Sequence, residues 1–144
     1  MSDTTPQSQA RAATASLIRD YYAAFNAGNS EAMLAFLTDD VIHDVNQGER
    51  RQGKDKFKAF NARMDHNYSE QLKDIAVMVS KDATRASAEF NVHGVYKNSE
   101  DGLPPATGQK YVLPAGTFFA IRDGKIARVT TYYNLTDWMM QVSG

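Results

Sequence analysis

The stretch Arg85–Lys97, RASAEFNVHGVYK, carries the pattern that sorts this chain into a fold class. Ala86, Ala88, Phe90 and Val92 alternate with Ser87, Glu89, Asn91 and His93, so successive side chains serve opposite faces of a strand. Three neighbouring segments read as strands too: Ser69 to Ser80, Gln109 to Arg122 and Lys125 to Asn134. Asp123-Gly124 joins the last two, and a tight hairpin turn needs positive φ at both of its central residues. Pro114 has no N–H to give to a ladder, which predicts a bulge or an edge near Leu113 to Gly116. Asn98 to Gly108 is a long connection, read either as a lid or as a plain hairpin loop.

The first half has a different period. Leu17, Ile18, Tyr21, Tyr22 and Phe25 recur at helical spacing and form one apolar stripe. Gly28 closes that helix, because glycine accepts the left-handed conformation of a helix end. Asn29 or Ser30 can cap a short second helix with Met33, Leu34, Phe36 and Leu37. Val41 to Val45 reads as a short strand, and Phe57, Phe60 and Met64 share one face of a third helix. Leu135 to Val142 closes the chain as a helix, and residues 1–9 are expected to form a loose tail ahead of one domain spanning 10–144. Helices followed by an antiparallel meander make an α+β fold.

Composition narrows the function. A chain of 144 residues with 42% hydrophobic content can bury a core as one domain. It has no cysteine, which removes disulfides, thiolate metal sites and cysteine nucleophiles. A formal charge of −1 without a long run of one sign gives no reason to expect nucleic acid or a membrane as partner. Residues 1–9 are polar and lack a secretion signal's apolar core, so a cytoplasmic protein is expected. His43, His66 and His93 are not at metal-ligand spacing, and no phosphate-binding or nucleotide fingerprint occurs, so neither metal nor cofactor is expected. The basic cluster Arg50, Arg51, Lys54, Lys56 and Lys58 is interspersed with acids and reads as a solvated face; the other reading is an entrance for acidic ligands.

The segment Leu37-Thr38-Asp39-Asp40-Val41-Ile42-His43-Asp44 ends an apolar strand with an acid. A carboxylate held there can take a proton from a carbon acid, provided the pocket excludes water. Together with Tyr21 on the first helix, this segment resembles the nuclear transport factor 2-like superfamily, in particular its ketosteroid isomerase and SnoaL-like polyketide cyclase branches. The resemblance runs from about Leu17 to Val142. It implies a cone-shaped curved sheet, mixed or antiparallel, whose N-terminal helices enclose a pocket, with dimerisation through the convex sheet face.

The resemblance also implies roles. Asp44 falls where the isomerases keep their general base, although Val45 follows where they usually have proline. Tyr21 matches the tyrosine that stabilises the enolate, with Tyr22 exchangeable for it by a one-residue shift. Thr117 stands where the isomerase oxyanion hole has a protonated aspartic acid, and a threonine hydroxyl is the weaker donor. Asn134 stands where the cyclases have an acid/base aspartate, and an amide transfers no proton at neutral pH. Tyr133, Phe60, Met64 and Phe119 complete the expected substrate contacts. With Asp44 in the pocket, His43 would face elsewhere, because neighbours on a strand point to opposite sides. The leading expectation is cofactor-independent proton transfer on a small apolar carbonyl compound. The alternative is a non-catalytic ligand-binding or dimerisation module.

Overall fold

The computed structural model describes residues 5–46 and 48–143. Helix α1 (Pro6–Asn26) begins earlier than the apolar stripe suggests. Thr5 caps it by accepting from the Ser8 N–H at 3.1 Å, and Pro6 fits the first turn, where no N–H is needed. Pro6 to Gln9 are therefore helical and not tail, while the first four residues of the expected tail and Gly144 lie outside the described residues. Gly28 turns the chain at φ 70°, and Asn29 caps α2 (Ser30–Ala35) by accepting from the Ala32 N–H at 3.1 Å.

Strand β1 (Leu37–Val45) leads to the two-residue β2 (Arg51–Gln52) and to α3 (Lys54–Asn67). Then come β3 (Tyr68–Val79), β4 (Arg85–Tyr96), β5 (Gln109–Arg122), β6 (Lys125–Tyr133) and α4 (Leu135–Ser143). The meander β3 to β6 is antiparallel throughout, and its bounds fall within a residue or so of the alternation in the sequence. Asp123 and Gly124 take φ 52° and 73°, the geometry the hairpin requires.

The sheet order is β2-β1-β6-β5-β4-β3, with β1 parallel to β6, so the six-stranded curved sheet is mixed. Helices α1 and α3 pack across one face, giving the α+β cone. Pro114 sits in an unbroken β4–β5 register opposite Asn91, so no bulge forms there. It lies one residue beyond the end of the β5–β6 pairing, at Ala115↔Tyr133. The N–H of Val112, two residues away on the same side, goes to Gln141 of α4 at 3.0 Å. Proline is tolerated because no strand lies beside it to need its missing donor.

Candidate active site

The helices and the concave sheet face enclose a cavity of about 760 Å³. Tyr21 and Tyr22 enter from α1, Phe57, Phe60 and Met64 from α3, and Thr117 and Tyr133 from β5 and β6. Of the residues singled out from the sequence, the cavity brings together Tyr21, Tyr22, Phe60, Met64, Thr117 and Tyr133. Both tyrosines line the site, so the choice between Tyr21 and Tyr22 does not arise. Burial raises the Tyr21 phenol well above its usual pKa, and it raises Tyr22 as well, against a hydrogen bond with Thr117. Both stay protonated at neutral pH and serve as donors.

Asp44 is not in the cavity. Its carboxylate accepts from Arg50 Nε and Nη2 at 2.9 and 3.0 Å, and from Thr130 Oγ1 at 2.8 Å. Arg50 first, and Thr130 after it, hold the Asp44 carboxyl below the usual range. The reason is strand phase. Val41 is fully buried under the helices, so His43 and Val45 share its face while Ile42 and Asp44 take the other. The parallel register pairs His43 with Val129 and Asp44 with Thr130, which confirms the two faces. The expected positions of His43 and Asp44 are therefore exchanged.

Two more residues lie elsewhere than expected. Phe119 is fully buried behind the tyrosines, edge-on to Tyr21 and Tyr22 at 6.1 and 5.9 Å, and forms core rather than wall. Asn134 precedes α4, where its Oδ1 accepts from the Asp137 N–H at 3.0 Å, and it borders a groove on the outer sheet face.

The cavity contains ionisable groups that the sequence reading passed over. Glu70 of β3 lines it and accepts a hydrogen bond from the Tyr111 hydroxyl. Burial pushes the Glu70 carboxyl up, and the Tyr111 bond only partly opposes it. Gly94 lies between them in the sheet, opposite Glu70 on one side and Tyr111 on the other. Glu100, from the β4–β5 connection, accepts from Tyr68 Oη at 2.6 Å and pairs with Arg63 Nε at 2.9 Å. Trp138 of α4 closes this side, 5.1 Å from the Tyr96 ring and 6.0 Å from Tyr111. The one sequence signal for Glu70 was an acid in phase with Tyr68 and Leu72, both buried, on a single strand face.

His43 packs on Phe57 and Phe60, with centroids 4.5 and 4.6 Å apart. Desolvation, and then the Arg51 charge, bring its pKa down to about 4, so the ring is neutral at pH 7. Among the described residues, no three carboxylates and imidazoles converge as metal ligands, and no helix is long and apolar enough to cross a membrane.

The chain is similar to known proteins over most of its length. It matches the SnoaL-like domain family over residues 18–129. Two solved structures described as putative polyketide cyclases share its sequence closely. The one from Pseudomonas putida KT2440 is 59% identical, covering 90% of this chain and 97% of its own, with a TM-score of 0.88. The one from Xanthomonas campestris pv. campestris is 53% identical, covering 92% and 98%, with a TM-score of 0.90. An LEH-like epoxide hydrolase from M. tuberculosis, 13% identical over 92% of this chain and 86% of its own with a TM-score of 0.74, shares the fold alone. No curated protein matches the chain. Sequence and architecture agree that the chain belongs to the SnoaL-like domain family of the nuclear transport factor 2-like superfamily.

Proposed function

We propose that this protein performs cofactor-independent proton transfer on a small, largely apolar carbonyl compound held in the cavity, with Glu70 as the base in place of Asp44. The observation that carries this reading is the Glu70 carboxyl. It lies inside an aromatic-walled cavity, its pKa is raised by burial, and its orientation is fixed by Tyr111. A carboxylate whose pKa is shifted towards neutrality is a better general base than one in water.

In this mechanism Glu70 takes a proton from the carbon beside the carbonyl, and the C–H electron pair moves into the enolate. Tyr21, held as a neutral phenol by burial, donates to the enolate oxygen. The proton then returns from Glu70 to carbon, either at its origin or at a conjugated position. Tyr111 acts as a positioning residue. The similarity to proteins described as polyketide cyclases supports a carbonyl substrate without specifying it.

The test is solvent deuterium incorporation into a model ketone such as 2-tetralone. The protein should accelerate exchange above buffer, and Glu70→Gln should lower that acceleration by about 10²–10⁴-fold. A loss of only a few fold would remove Glu70 from the mechanism. No acceleration by the intact protein would leave the cavity as a binding site.

We also propose that two copies associate through the outer sheet face. Phe118, Tyr132 and Met78 are each about half exposed there and border one groove. A cytoplasmic location is part of the same reading.

A further inference from the structure

The cavity treats its acids and its bases differently. The three carboxylates that line it have protein partners: Glu70 has Tyr111, Glu100 has Tyr68 and Arg63, and Asp65 accepts from Ser30 Oγ at 3.4 Å. Arg51 also lines the cavity, yet among the described residues no acid pairs with it. Its guanidinium sits 4.9 Å from the centroid of Phe60. Backbone pairing of β2 to β1 sets Arg51 directly opposite His43.

The same cavity is lined by three residues that each carry a buried polar atom without a hydrogen-bond partner among the described residues: His43 Nδ1, Asn61 Nδ2 and Asn46 Nδ2. His43 is 5% exposed and rests on the rings of Phe57 and Phe60, which precede Asn61 on α3. Asn46 spends its Oδ1 on the Tyr133 N–H at 2.9 Å, so only the amide donor remains. Leaving a buried donor unpaired costs about 1–3 kcal/mol, and such atoms in a folded protein call for an occupant. Two amide donors, a guanidinium and a neutral imidazole match a group rich in acceptors and carrying negative charge.

We infer that the ligand of this cavity carries a carboxylate, bound at the β2 edge by Arg51, Asn61, Asn46 and His43. This rests on the proposed function for its carbonyl chemistry, and it narrows the substrate class to apolar keto acids. A cationic ligand is disfavoured, because each cavity carboxylate is already engaged while the free charge is positive.

The experiment compares 1-naphthoate with 1-naphthamide, which share shape and apolar surface and differ in charge. Isothermal titration should show the carboxylate binding at least about tenfold more tightly, the scale of one charge-assisted hydrogen bond. Arg51→Gln should erase that preference while leaving the amide within about threefold. Arg50→Gln changes the neighbouring cation on the opposite sheet face and should preserve the preference. Equal affinities for the two compounds, no binding of either at millimolar concentration, or a preference that survives Arg51→Gln would each overturn the inference. Deuterium exchange into 2-tetralone involves no carboxylate, so its failure would count against the proton-transfer reading and not against this one.

Discussion

Tyr111 lies across Gly94, and a side chain at that position would overlap the ring. A Cβ built on Gly94 falls far inside van der Waals contact with the Tyr111 ring carbons and hydroxyl. The missing side chain is what lets the Tyr111 hydroxyl cross the neighbouring strand to Glu70. Gly94→Ala should therefore push the ring aside, break the Glu70 contact and cost about 1–3 kcal/mol of stability. Urea denaturation reads that cost. Gly116→Ala is the comparison: its Cβ would meet the Ala88 carbonyl at 3.7 Å, an ordinary contact, and should cost little. Equal stability of the two variants would contradict the packing described for Tyr111.

Asp44→Asn should leave deuterium exchange within about twofold of the parent, because the carboxylate faces away from the cavity, whereas a positioned base contributes far more. Its effect belongs to stability instead. The folded pKa is depressed, chiefly by Arg50, so the ion pair stabilises the fold above the ordinary aspartate range. That contribution is lost as pH falls through the depressed value. Parent and variant should differ at neutral pH and converge in acid, as followed by thermal melts across pH.

His43 gives a second pH dependence. Between its usual pKa of 6.5 and its folded value of about 4, the unfolded chain binds a proton that the native state refuses. Stability should thus fall on acidification through this window. A shift of this size corresponds to roughly 3 kcal/mol in full. His43→Gln should flatten this part of the stability profile. An imidazole resonance titrating near pH 6.5 in the folded protein would show that the ring is not buried as described.

The outer face makes a prediction about assembly. Phe118 and Tyr132 are 50% and 52% exposed and meet edge-to-face at 5.9 Å. Placing glutamate at both positions should convert a dimer to a monomer in sedimentation velocity while leaving the far-ultraviolet spectrum unchanged. A parent protein that is already monomeric at micromolar concentration would dispose of the proposed interface.

The elements themselves were legible because their signals are local. Alternation in Arg85–Lys97, the Asp123-Gly124 turn and the α1 stripe each report a backbone period that a short window contains. The start of α1 departs from the expected tail for a local reason too. Pro6 to Gln9 are polar, and their helix rests on the Thr5 cap and on continuation into α1 rather than on an apolar face.

The sequence by itself determined an α+β chain with four consecutive antiparallel strands, and it brought Tyr21, Tyr22, Phe60, Met64, Thr117 and Tyr133 into consideration as neighbours of one cavity. It left open which face of β1 looks inward. Val41, Ile42 and Val45 are all apolar, so the segment satisfies either phase, and only packing of Val41 beneath the helices placed His43 inside and Asp44 outside. The Glu70–Tyr111 contact spans 41 residues of chain, and the pairing of Arg51 with the His43 backbone depends on a two-residue strand. Contacts of that kind exist only once the sheet has closed, because strand order, rather than any window of sequence, decides which side chains meet.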